Sequence, residues 1–234
     1  LSEIANAMWE SKRDYVTIEE IEHYAALLLS DWGIDETIKP MVMNMVKSHA
    51  FLIPVNESKF DARKFDHEEF KNYFLARSLA ELIQTAPDNS NFSMLKKFLY
   101  IDQLPDSVGM YCFNYVKDLP THIHSIIKIF KRLIEEEYKP TYLQMNIGTL
   151  FPFMIDKIPF EDAITFDSKV TYTSLVFENK NLKNIEFENG TFINISLRDT
   201  CLENVHFRNC SFNEVKIEIT SNNSFRNVSL KNCQ

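Results

Sequence analysis

VTYTS, LVFEN, KNLKN, IEFEN, GTFIN, ISLRD, TCLEN, VHFRN, CSFNE, VKIEI: residues 170–219 are one five-residue phrase written ten times. The third place of each phrase holds Tyr172, Phe177, Leu182, Phe187, Phe192, Leu197, Leu202, Phe207, Phe212 and Ile217. The first place holds Val170, Leu175, Lys180, Ile185, Gly190, Ile195, Thr200, Val205, Cys210 and Val215, apolar or small with one exception. A period of five suits neither a lone helix, which needs spacings of three and four, nor a plain strand, which alternates. Two apolar places two residues apart face one way from a short extended segment, and the remaining three must turn a corner. Asn fills that corner at 179, 184, 189, 194, 204 and 209, with Asp199 among them. Both residues tolerate left-handed dihedrals and bond their own backbone, so they suit a turn repeated every five residues. The pattern predicts a solenoid in which each side of the coil is one phrase.

These two columns resemble the pentapeptide-repeat family. The resemblance implies a right-handed, four-sided (quadrilateral) β-helix with four phrases per coil. Lys180 departs from the pattern, implying a loose first coil or a side chain that snorkels out. After Ile217 the frame slips: Asn222 takes the next centre, and Phe225 and Leu230 resume the period eight residues on, as a bulge or terminal cap would.

The chain has 234 residues, a formal net charge of −8 and 45% hydrophobic residues, room for two or three modest domains. Its four glycines (Gly33, Gly109, Gly148, Gly190) are too scattered for a Gly-rich phosphate loop. It begins at Leu1 with no translation start or signal peptide, and reads as the C-terminal portion of something larger. Cys112, Cys201, Cys210 and Cys233 lack CxxC spacing, so reduced thiols in a cytoplasmic setting are expected over a disulfide framework. No apolar run approaches the ~20 residues a membrane helix requires, so no membrane association is expected.

Upstream of the repeat the period becomes helical. Residues 2–13 form an amphipathic helix burying Ile4, Met8 and Trp9. Thr17 and Glu20 make a capping box that opens a helix to about Trp32, ended by Gly33 and burying Ile21, Tyr24 and Leu28. A third helix is expected over 35–49. Residues 50–55 read as a strand, 56–58 as a turn, and 59–66 as a return strand alternating around Phe60, Ala62 and Lys64. Helices, a hairpin and a further helix outline a winged helix-turn-helix.

The segment 65–77, FDHEEFKNYFLAR, reads F-x-H-x-x-F-x-x-Y-F-x-A. It resembles the segment closing the winged-helix domain of NACHT-type STAND ATPases, and with the preceding helices and hairpin the likeness covers about eighty residues. There the histidine reaches the phosphates of bound nucleotide and holds the ADP-bound state closed. His67 is the matching position. Asn72 stands where many members carry Glu. A winged helix alone cannot hold nucleotide, so ATP or ADP and magnesium are expected only for a longer protein whose ATPase domain lies upstream. No cofactor is expected in this chain.

A Pro/Asn/Ser-rich link at 87–93 precedes helices expected near 93–102, 106–118, 121–138 and 140–156, punctuated by Pro105, Pro120 and Pro140. Ile158, Phe160, Ile164 and Phe166 are placed to cap the mouth of the coil. The reading is an α+β chain, mostly helical at first: a winged-helix-like domain over 1–86, a helical domain over 87–160 and a β-helix over 161–234.

No catalytic or metal-binding constellation stands out. His122 and His124 lie on different faces of one helix. Glu135, Glu136 and Glu137 read as a solvated helix end. Residues 17–49 carry six acids against Lys39 and Lys47, which speaks against DNA at this winged helix. From residue 170 onward, seven acids meet seven bases, a poor imitation of a duplex. The expected role is a non-enzymatic regulatory or sensor module of a bacterial STAND ATPase. It binds a ligand or protein partner through its helical and repeat parts, in defence or signalling. The alternatives are a topoisomerase inhibitor acting by DNA mimicry, and a plain interaction scaffold.

Overall fold

The computed structural model describes residues 1–35, 37–55, 61–87, 89–116, 119–136, 140–156, 164–167, 171–173, 175–218, 220 and 222–234. The chain is mixed α and β. It divides into two compact units, 1–79 and 80–234, with the boundary inside one long helix.

The first unit begins with α1 (Ser2–Ser11), closed by Lys12 in a left-handed conformation, so the helix stops two residues short of expectation. Ile4, Ala5, Ala7 and Met8 are buried; Trp9 is only half-buried. Strand β1 (Val16–Thr17), absent from the sequence reading, leads directly into α2 (Ile18–Asp31). Thr17 accepts the Glu20 N–H at 3.2 Å, and the Glu20 carboxylate accepts the Thr17 N–H at 2.8 Å, so the capping box forms as read. Partial burial works against the Glu20 charge, yet the Thr17 N–H and the Arg13 guanidinium hold its pKa below the usual range. Ile21, Ala25 and Leu29 face inward, while Tyr24 and Leu28 are half-buried. Gly33 follows with φ +63°.

Helix α3 (Lys39–Lys47) is shorter than the expected 35–49. In the turn before it, Asp35 accepts the Thr37 N–H at 2.8 Å. None of its residues is buried, and Met41 and Met45 are 59% and 62% exposed. Strands β2 (Leu52–Pro54) and β3 (Ala62–Phe65) form the hairpin, and β1 completes an antiparallel sheet in the order β1-β3-β2. Ala62 and Phe65 are the inward residues of β3; Lys64 is half-buried rather than part of an inward alternation. The turn, Lys59 and Phe60 lie outside the described residues. Helix α4 (Glu68–Thr85) follows.

The second unit continues with α5 (Asn89–Tyr100), α6 (Asp106–Tyr115), α7 (Leu119–Ile134) and α8 (Thr141–Asp156). Helices α5, α6 and α7 all pack on α8. At Gly109 of α6 the Phe153 ring of α8 comes so close that a Cβ would meet it at 3.0 Å. Glu136, expected in solvent, instead pairs with Lys96 of α5 at 2.6 Å.

Two parallel sheets follow, built from β4 (Ile164–Asp167), β5 (Thr171–Thr173), β6 (Val176–Glu178), β7 (Asn181–Glu188), β8 (Thr191–Arg198), β9 (Cys201–Arg208), β10 (Ser211–Glu218), β11 (Ser224–Arg226) and β12 (Ser229–Lys231). One sheet joins β5 and β6 to β8 and β8 to β10; the other joins β4 to β7, β7 to β9, and β9 to both β11 and β12. The register is regular. Leu182 faces Leu202, Phe187 faces Phe207, and Phe192 faces Phe212, a constant step of twenty residues. At β11 and β12 the step becomes twenty-three, with Phe225 facing Leu202 and Leu230 facing Phe207. The frame slip in the sequence is therefore a three-residue insertion between coils.

Ring stacking follows the register: Phe187 on Phe207 at 5.2 Å and Phe192 on Phe212 at 5.1 Å, nearly parallel in each pair. The corners at 179, 184, 189, 194, 199, 204 and 209 all have φ between +47° and +58°. Their side chains bond along the stack: Asn204 donates to Asn184 and Asn227 to Asn204, each at 2.8 Å. Glu214 occupies a corner at φ +58° with no such aptitude.

The mouth of the stack is closed by α8. Phe151, fully buried, lies 5.3 Å from Phe166, 5.6 Å from Tyr172 and 6.4 Å from Phe187. Ile164 and Phe166 are buried as expected, while Ile158 and Phe160 lie outside the described residues. Lys180 leaves the inward column and rests its ammonium 4.0 Å over the Phe153 ring. The far end is different: Ile217, Phe225 and Leu230 belong to the inward pattern, yet they are 50%, 47% and 63% exposed.

This gradient has an energetic consequence. Phe192→Ala removes a ring packed on all sides and should cost about 3–5 kcal/mol. Phe225→Ala, at the open end, should cost less than about 1 kcal/mol. Denaturant melts of the two variants measure the difference, and equal losses would contradict the assignment of the ends.

Candidate functional site

His67 stands between β3 and α4. The Asp66 N–H bonds the Phe51 carbonyl at 2.9 Å, so the hairpin ladder holds the chain to that residue. The His67 carbonyl then accepts the Phe70 N–H at 3.1 Å as the helix begins. The motif's aromatics anchor this corner. Phe70 stacks on Phe51 at 4.4 Å, and Phe74 on Phe65 at 5.8 Å. Leu75 and Ala76 are buried below, and Asn72 is buried too.

The imidazole itself points outward, 71% exposed, with Nε2 3.5 Å from an Asp66 carboxylate oxygen and its ring 5.6 Å from Phe70. Asp66, Glu68 and Glu69 surround it in sequence, all exposed. Negative charge there favours the helix N-terminus. It also opposes an incoming phosphate, so His67 by itself makes no anion site. It can add one directional hydrogen bond to a ligand held by other groups.

The other titratable residues singled out from sequence do not converge. His124 is exposed on α7, and the His122 side chain lies outside the described set. Among the described residues no group of three His, Cys, Asp or Glu side chains could hold a metal ion. No described helix is long and apolar enough to cross a membrane.

A small cavity of about 160 Å³ opens between the α4–α5 turn and α7, edged by Pro87, Phe92, Ser125, Lys128 and Arg132. The Arg132 guanidinium lies 3.8 Å over the Phe92 ring. Ligand sites for drug-sized molecules run to about 300 Å³ and above, so this cavity is small by that measure.

The outer face of the parallel sheets is polar and laddered. Arg198 reaches Glu178 at 3.4 Å and Glu218 at 3.2 Å; Glu203 is shared by Lys183 at 2.8 Å and Arg226 at 3.4 Å; Arg208 meets Glu186 at 2.5 Å. The Lys183 bond holds the Glu203 carboxyl below its usual range, with Arg226 assisting. Such exposed pairs each contribute little to stability. They also set Glu178, Glu186, Glu203 and Glu218 each beside a base from a neighbouring strand, which breaks up a continuous row of acids.

Asn146 was not singled out from sequence. Fully buried in α8, its amide oxygen accepts the Leu104 N–H at 2.7 Å, and its amide nitrogen donates to the carbonyls of Leu99 at 2.9 Å and Asp102 at 2.7 Å. It closes the C-terminus of α5 and fixes the turn into α6. The signal was present as one polar residue between Met145 and Ile147 on a buried face.

Compared with known proteins, the chain matches no family model and no curated sequence.

Two substitutions separate the buried Asn146 from the exposed His67. Asn146→Ala leaves a buried N–H and two carbonyls without partners and should cost about 2–4 kcal/mol. His67→Ala should change stability by less than about 0.5 kcal/mol. Thermal or denaturant unfolding of both variants is the check.

Proposed function

We propose that the chain is a non-catalytic regulatory module of a NACHT-type STAND ATPase, with residues 1–86 acting as a winged-helix-like domain and the parallel sheets as a right-handed, four-sided pentapeptide-repeat β-helix. The observation that carries the reading is the placement of His67. It stands outward at the hairpin–helix corner, on a scaffold of stacked aromatics that fixes the backbone there while most of its ring stays exposed. An exposed side chain on so well-anchored a corner is suited to a contact outside this chain. Helix α3 supports the same reading, since exposed Ile38, Met41 and Met45 form an apolar face of the kind that neighbouring domains cover.

The β-helix reading rests on the twenty-residue parallel step, the inward columns and the left-handed Asn corners. Its polar outer face serves as the surface for a ligand or protein partner. The charge ladder disfavours the DNA-mimic alternative, because a duplex mimic needs unneutralised acids in a row. ATP or ADP and magnesium belong to an upstream segment, and the cellular setting is the cytoplasm.

The experiment is His67→Ala in the longer polypeptide that this reading requires. Loss of a polar contact to charged phosphate, worth about 1–3 kcal/mol, releases the closed state and raises basal activity. A variant as quiet as the parent, with the fold intact, contradicts the regulatory role.

A further inference from the structure

The three-residue slip between the last coils aligns two cysteines. A step of twenty from Cys210 would reach Leu230; the step of twenty-three reaches Cys233. The main chain holds this alignment. The Asn209 N–H bonds the Lys231 carbonyl at 2.9 Å, the Gln234 N–H bonds the Cys210 carbonyl at 3.1 Å, and the Phe212 N–H bonds the Gln234 carbonyl at 2.9 Å. In a parallel ladder that pattern makes Cys210 and Cys233 direct partners across one rung.

Their side chains also point alike. Each thiol donates to the carbonyl two residues before it, Arg208 for Cys210 and Lys231 for Cys233, at 3.3 Å and 3.5 Å. Each also reaches a carbonyl one coil back, Phe187 and Phe207, at 3.5 Å in both cases. Adjacent strands run roughly 4.8 Å apart, which lies inside the Cα separation a disulfide spans. We propose that Cys210 and Cys233 form an oxidation site, an intrachain disulfide that clasps the terminal coil to the one before it.

The two thiols differ in access. Cys210 is buried and Cys233 is half-exposed at the end of the stack. Burial pushes the Cys210 thiol above its usual range, and the neighbouring Cys233 adds to the push. A peroxide therefore meets Cys233 first. Its sulfur attacks one peroxide oxygen, the other leaves as water after taking a proton, and Cys233 becomes a sulfenic acid. Cys210 sulfur then attacks the Cys233 sulfur, displacing hydroxide, which leaves as water with the Cys210 proton. Two thiols and one peroxide become one disulfide and two waters.

The location gives the bond leverage. Phe225 and Leu230 are too exposed to hold β11 and β12 by burial, so main-chain rungs and corner Asn bonds carry the last coil. A covalent tie there limits fraying of the segment with the fewest apolar contacts. The other two cysteines lack such a partner: Cys112 is sealed in α6, and Cys201 faces Ser224.

The test is exposure of the full chain to dilute hydrogen peroxide, then alkylation in denaturant and peptide mapping by mass spectrometry. The expected result is a linked Cys210–Cys233 peptide, two hydrogens lighter than its reduced parts, with alkylatable thiols falling from four to two. Dithiothreitol restores all four, and the oxidised form melts higher than the reduced one. Cys233→Ser abolishes the linked peptide and leaves the reduced melting temperature unchanged. Cys210→Thr is the matching variant on the other side, because Thr200 makes the equivalent carbonyl bonds at the same place in its phrase. Cys233 stopping at the sulfinic acid, Cys233 joining a second chain, or Cys210 remaining alkylatable after treatment would each overturn the proposal.

Discussion

The second unit depends on one aromatic insertion, Phe151 of α8 into the mouth of the parallel stack. A stack of coils is continuous only inside; each end presents apolar side chains and unpaired strand edges to water. Phe151 meets Phe166, Tyr172 and Phe187 at once, so the first coils have a packed partner where solvent would otherwise stand. The same helix supplies Phe153 under the Lys180 ammonium and an Asp156 oxygen that accepts the Asn181 N–H at 3.0 Å. On its other sides α8 receives α5, α6 and α7, and Asn146 locks the α5–α6 turn to it. Helical bundle and sheets thus share a core through α8, and α7 adds Lys131, whose ammonium donates to the Thr165 carbonyl at 2.6 Å.

The corners impose the second constraint. Left-handed φ values every five residues are unfavourable for most side chains, and Asn meets them at least cost. Its amide then bonds the Asn one coil away, so the residue type that permits the turn also ties successive turns together. Glu214 breaks this rule in the last full coil, close to where the register jumps by three and the inward column opens to solvent. Relaxed corner chemistry, slipped register and exposed Phe225 and Leu230 all fall at the same end. The contrast with the α8 end is a direct outcome of having or lacking a packed helix there.

Local patterns were legible where chemistry is local. The five-residue columns foretold the inward residues from Leu175 to Cys210, and Thr17 with Glu20 foretold the helix start to the residue. Long-range partners were not legible. Nothing near Lys180 announces Phe153, and nothing near Glu136 announces Lys96; both contacts exist because segments distant in sequence meet. Strand β1 is only two residues long, too short for any alternation to show, and exists because β3 offers an edge. The candidate histidine could be placed by its motif, but its exposure came from how Phe51, Phe65, Phe70 and Phe74 pack beneath it.

The central claim is a parallel stack of twenty-residue coils, closed by α8 at one end and open at the other. Amide hydrogen exchange under native conditions tests it most directly, because rung amides open only when coils separate. The account predicts slow exchange at Ser196, Cys201 and Ser211, whose N–H groups bond the carbonyls of Leu175, Lys180 and Gly190 in the coil before. It predicts faster exchange through 224–231. Rapid exchange across 181–218, or protection as strong at the far end as beside α8, would contradict it.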